Sequence, residues 1–224
     1  MKIIKITLLN TLIIFLLTVA LFAFSAPSFT QDYKVKKVGK AFSHPWGISV
    51  FDNDEVLITE RGGNLFKVNI KNGSRLKISN LPDVFNVRQG GLLDVLVDKE
   101  SVSERKVYIC YSSKVSGGSS TTLMSGTLKE DKLISKKILF KSNNVSESGV
   151  HFGCRLAILN DEIFMSIGDR GNRYEAQDAN SHAGSVIRVN KYDGSTREQK
   201  AYNSWPAEVY TNCLLYTSDA ADEE

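Results

Sequence analysis

From Tyr33 onward the chain alternates short apolar or in-and-out runs with clusters of turn-forming residues, at close and regular spacing. Trp46–Val50, Glu55–Thr59, Asn64–Val68, Leu92–Val97, Lys106–Tyr111, Thr122–Leu128, Ile163–Ile167 and Val186–Asn190 each have the length and period of a β-strand. Between them stand Asp52-Asn53-Asp54, Arg61-Gly62-Gly63, Lys71-Asn72-Gly73, Asn160-Asp161 and Asp193-Gly194, residues that tolerate positive φ or close tight turns. No stretch beyond residue 30 carries a helical period, so the pattern predicts an all-β chain. Even strand spacing suits a sandwich, a barrel or a propeller. The recurring order of strand, Asn/Asp/Gly turn, strand and polar loop, at Val56–Val68, Val107–Leu128 and Ile163–Val189, favours the propeller. At about 40 to 50 residues per four-stranded blade, the segment from Tyr33 to Tyr210 holds roughly three to four blades.

The two ends read differently. Residues 1–26 open on Met1-Lys2-Ile3-Ile4-Lys5 and continue as an apolar run to Ala26, with small residues at Ala23, Ser25 and Ala26. A positive start, an apolar middle and a small-residue exit predict a secretory signal peptide, with an uncleaved membrane anchor as the competing reading. Either places the folded part in the periplasm or outside the cell. Residues 213–224, from Cys213 to Glu224, read as the in-frame translation of a sequencing adapter and are set aside as non-native, leaving residues 33–212 for the fold. At 42% hydrophobic and 24% charged the chain has an ordinary globular composition. The net charge of +3 is scattered among acids, without the basic stripe that nucleic-acid binding requires.

Cys110, Cys154 and Cys213 show neither a CxxC spacing nor a neighbouring histidine pair, which argues against zinc. Isolated buried thiols are the preferred reading, although an oxidising compartment would allow Cys110 and Cys154 to pair. Of the three histidines, His44 in His44-Pro45-Trp46-Gly47 reads as structural and His182 as a loop residue. His151 stands out, flanked by glycines and followed by Arg155 between two β segments. Eighteen residues on, Ile167-Gly168-Asp169-Arg170-Gly171 puts an acid at a strand end in a glycine turn. A carboxylate bonded to one imidazole nitrogen leaves the other as a base, but a purely structural pair fits the same residues. Gln89, in Arg88-Gln89-Gly90-Gly91, is a third candidate on a turn where backbone approaches closely. Ser116-Gly117-Gly118-Ser119-Ser120 reads as a flexible hairpin tip, not a ligand cradle.

His44-Pro45-Trp46-Gly47, Leu57-Ile58-Thr59-Glu60-Arg61, Gln89-Gly90-Gly91-Leu92-Leu93-Asp94, His151-Phe152-Gly153-Cys154-Arg155-Leu156, Gly168-Asp169-Arg170-Gly171 and Ala176-Gln177-Asp178 follow one another in a definite order. In this the chain resembles the soluble pyrroloquinoline quinone-dependent glucose/sorbosone (aldose sugar) dehydrogenases, over their amino-terminal half. The resemblance implies a six-bladed β-propeller, of which this chain carries part. It also implies oxidation of the anomeric hydroxyl of an aldose, with hydride passing to the quinone and electrons then to an external acceptor. His151 becomes the general base, Asp169 its orienting partner and Gln89 a lining residue of the same pocket. Cys154 departs from the serine common in the family. The family's Gly-His-Arg-Asn block, calcium loop and cationic quinone anchors would follow Tyr210 and are absent here, so the resemblance implies no useful binding of quinone or calcium by this chain alone. The alternative function is a non-catalytic extracellular platform that binds carbohydrate or protein.

Overall fold

The computed structural model describes residues 33–100, 105–196 and 208–211. The signal or anchor segment at residues 1–26 and the adapter-like residues 213–224 lie outside the described residues. Strands β1 (Pro45–Asp52), β2 (Glu55–Glu60), β3 (Asn64–Asn69) and β4 (Arg75–Ile78) form one antiparallel sheet in that order. Strands β5 (Leu92–Val97), β6 (Lys106–Val115), β7 (Gly118–Lys129) and β8 (Lys132–Lys141) form a second. Strands β9 (Gly153–Leu159), β10 (Glu162–Ile167), β11 (Ser185–Asn190) and β12 (Val209–Thr211) form a third. Each sheet is a four-stranded meander, one blade of a partial β-propeller, so the described residues hold three blades. Their only helical element is a 3₁₀ turn at Glu175–Gln177.

The turns sit where the chain chemistry places them. Asp52 Oδ1 accepts the Asn53 N–H (2.7 Å) between β1 and β2. Asn69 Oδ1 accepts the Lys71 and Asn72 N–H groups between β3 and β4. Asn160 takes φ of 56° in the two-residue turn joining β9 to β10. The glycine-serine stretch differs from the sequence expectation. Only Ser116-Gly117 forms the hairpin tip, because Val115 pairs with Gly118, and Ser119 and Ser120 are buried in β7.

Blade packing explains why the second blade is so apolar. β5 lies against β1 and β2 on one side and against β9 on the other, so the first strand of each blade is the inner one. In β6, Val107, Ile109 and Tyr111 join Leu57, Leu65 and Ile78 in one buried cluster, while Tyr108 and Cys110 join Leu156, Ile163 and Met165 in another. A sheet covered on both faces reads as a continuous apolar run, because neither side-chain row meets water. Polar groups then fasten the blades. Thr59 Oγ1 accepts the Gly47 N–H (2.8 Å) and donates to the Leu93 carbonyl, linking β1, β2 and β5. The Asp94 carboxylate accepts the Leu156 N–H (2.9 Å) and an Arg155 N–H (3.2 Å), linking β5 to β9. Burial pushes the Asp94 pKa up, against the pull of those donors. At the far strand ends the buried Lys191 ammonium meets Glu100 at 2.6 Å and Asp98 at 3.5 Å.

One sequence expectation is corrected. Cys110 and Cys154 are not isolated thiols but a disulfide between β6 and β9, with Cα atoms 5.7 Å apart. Cys110 faces the third blade and Cys154 faces the second, so the two meet in the seam both blades bury. The bond closes a loop of 44 residues. Its reduction should lower unfolding stability by about 2–4 kcal/mol, measured as a lower urea midpoint with dithiothreitol than without.

Candidate active site

Three loops meet at one end of the blades: the segment before β5, the segment before β9 and the turn after β10. The last two approach so closely that Gly168 has no room for a side chain, since a β-carbon there would strike the His151 carbonyl. Gly168 N–H donates to Phe152 O (3.2 Å), and Arg170 N–H donates to His151 O (3.2 Å). This pairing brings His151 and Asp169 together. His151 Nδ1 and Asp169 Oδ1 are 2.7 Å apart, with the imidazole 55% exposed and the carboxylate only 4% exposed. Asp169 Oδ1 also accepts the Gly171 N–H (2.9 Å), which fixes the carboxylate. An ionised carboxylate only accepts hydrogen bonds, so Nδ1 carries the proton and Nε2 presents its lone pair on the exposed ring. The arrangement can take a proton from a bound hydroxyl.

Gln89 lies beside His151. Its N–H donates to Gly149 O (2.8 Å), and its side-chain Oε1 accepts the His151 N–H (2.8 Å). Gln89 therefore braces the backbone of His151 from the neighbouring blade. His44 is exposed, and its carbonyl accepts the Arg61 N–H (3.1 Å), in keeping with a structural role. A cavity of about 330 Å³ lined by Val50, Phe51, Asp98 and Arg105 lies at the opposite strand ends and contains no histidine. It is remote from His151.

Two residues carry more than their sequence setting showed. Arg170 is 2% exposed, and its guanidinium donates to the carbonyls of Ser119 (3.0 Å), Val150 (3.0 Å), Ser146 and Ser148, and to Ser119 Oγ (2.9 Å). It also stacks 3.7 Å from the Phe152 ring centre. Burial pushes its pKa down to about 10, still charged at neutral pH. Arg170 thus clasps the loop leading into His151. His182 is buried, not a free loop residue. Its Nδ1 accepts the Asn143 N–H (2.9 Å), so Nε2 holds the proton and donates to Glu208 Oε1 (2.8 Å). Both partners are distant in sequence, which is why the loop reading missed them.

A family profile described as Glucose / Sorbosone dehydrogenase matches residues 42–212. An uncharacterised protein of Synechocystis is 30% identical over 78% of this chain and 47% of its own length. Aldose sugar dehydrogenase YliI of Escherichia coli is 32% identical over 65% of this chain and 41% of its own length. Among solved structures, the soluble aldose sugar dehydrogenase of Escherichia coli in its apo-form is 28% identical. It superposes with a TM-score of 0.70 over 77% of this chain and 52% of that one. The chain spans about half the length of the curated relatives it matches.

The clasp and the buried histidine each have a measurable outcome. Replacing Arg170 by Lys leaves several buried carbonyls without a donor, and should cost roughly 2–4 kcal/mol in urea unfolding while speeding amide exchange at His151 and Phe152. Burial, partly offset by Glu208, lowers the His182 pKa below its ordinary value. The unfolded chain therefore takes up that proton first, and stability should fall as pH drops below about 6.5. In His182→Gln that part of the slope should vanish, seen as a flatter pH dependence of the urea midpoint than in the wild type.

Proposed function

Because the chain belongs to the glucose/sorbosone dehydrogenase family, we propose that its blades serve a quinoprotein dehydrogenase that oxidises the anomeric hydroxyl of an aldose sugar. Pyrroloquinoline quinone, when bound, would supply the hydride acceptor, with an external acceptor as the electron sink. The observation that carries this reading is the exposed imidazole of His151 with its Nδ1 held by the buried Asp169. Nε2 is the group that takes the hydroxyl proton. Removing it as the hydride leaves avoids a free alkoxide, a role worth about 10²–10⁴ in rate. Asp169 holds the tautomer, Gln89 holds the backbone, and Arg170 holds the loop.

The described residues suit the proton half of this reaction better than the cofactor half. Around His151 they supply an imidazole, a carboxylate and an amide, whereas a tricarboxylate quinone calls for clustered cations and a bridging metal. Among the described residues no three His, Cys, Asp or Glu side chains gather to hold a metal ion. This chain by itself is proposed not to turn sugar over. A secreted or periplasmic location agrees with the Cys110–Cys154 disulfide, since such bonds persist in oxidising compartments.

The test joins these blades to the remaining blades of the family's propeller, adds quinone and calcium, and tracks aldose-dependent dye reduction. His151→Ala should lower kcat by about 10²–10⁴, and Asp169→Asn should lower it too, with sugar binding retained in both. An unchanged rate in His151→Ala removes the base assignment. Sugar binding without any dye reduction would instead support a non-catalytic binding platform.

A further inference from the structure

The backbone that carries His151 is strained over a short span. His151, Gly153 and Cys154 all lie in the left-handed region, with φ of 50°, 74° and 86°. Glycine accepts this conformation freely, and cysteine does not. Such a residue persists only where its surroundings over-determine it. At the Gly149–Val150 end of the span, Arg170 and Gln89 provide the hold. At the other end Phe152 O accepts Thr121 Oγ1–H (3.2 Å) and the Gly168 N–H, and Cys154, two residues on, is bonded to Cys110. Cys110 itself is fixed in the middle of β6, opposite Leu123, and both sulfur-bearing residues are fully buried.

We infer that the Cys110–Cys154 disulfide is a positioning element for His151. It holds Cys154 in left-handed backbone against the neighbouring blade, and thereby sets the angle at which the His151 ring meets Asp169. This rests on the reading of His151 as the working base, but it concerns geometry and not turnover. Without the bond, Cys154 relaxes toward extended φ, the carbonyl of His151 shifts against Gly168, and the hydrogen bond between Nδ1 and Asp169 loosens. A bond that served stability alone would leave that hydrogen bond intact as long as the chain stayed folded.

The measurement uses the whole chain with ¹⁵N-labelled histidine, with His44 and His182 as internal references. Cys110→Ala/Cys154→Ala should raise the exchange rate of the His151 Nδ1–H about tenfold or more and shift its ring nitrogens away from the single-tautomer pattern. Leu128→Ala, in the cluster between the first two blades, weakens the core at a distance and should leave those signals in place. Unaltered His151 signals in the folded double variant overturn the inference, as do equal changes in Leu128→Ala. Should the double variant not fold, the same spectra are taken after reducing the folded wild type with dithiothreitol. That reagent delivers two electrons and two protons to the disulfide, leaving two thiols and its own cyclic disulfide. Unchanged spectra there overturn the inference as well. None of these readouts needs sugar or quinone, so a failure here is distinct from a failure of the catalytic reading.

Discussion

Gly168 and the backbone of His151–Phe152 lie against each other with no β-carbon between them, and the geometry of the site descends from that contact. Only there does Phe152 O reach the Gly168 N–H and His151 O reach the Arg170 N–H. The side chains that matter are positioned from that contact. Asp169, next after Gly168, points back at His151, and Arg170, next again, reaches under the loop that leads to it. An alanine at 168 would push the two segments apart, and the 2.7 Å hydrogen bond could not survive the separation.

The blades contribute rigidity more than chemistry. His151 and Asp169 both belong to the third blade's segments, yet their supports come from the second: Gln89 before β5, Ser119 in β7, and Cys110 in β6. The inter-blade seam is thus also the mounting of the site. It is built from apolar burial, a covalent cross-link and buried polar ties such as Asp94 to Leu156 N–H. Each tie satisfies a group that would be costly to bury alone.

The strands legible in the sequence are mostly the first three of each blade. β1, β2, β3, β5, β6, β7, β10 and β11 all contain a run whose pattern marks it as a strand. The last strands of the blades, β4 with Arg75 and Lys77, β8 with Lys132, Lys136 and Lys137, and the short β12, escape the pattern. Edge strands carry lysines that discourage pairing with other chains, and this dilutes their apolar signal. β9 escapes because its Gly-Cys-Arg start departs from ordinary β alternation. At the site, His151, Asp169 and Gln89 were legible from the order of the blocks around them. The 2.7 Å contact was not, because its partners stand 18 residues apart and meet only when the turn after β10 packs against the segment before β9. Nor was the disulfide, whose halves are 44 residues apart and meet only when two blades pack.

The turn from Gly168 to Gly171 has two duties at once, orienting the imidazole and clasping the loop before it. A segment with two simultaneous obligations tolerates neither insertion nor deletion. Tyr174, three positions past Gly171, is 90% exposed and free of both obligations. The side chain at that position can vary without disturbing the His151–Asp169 pair. The exposed rim at Tyr174 can therefore change while the packed geometry beneath it stands still.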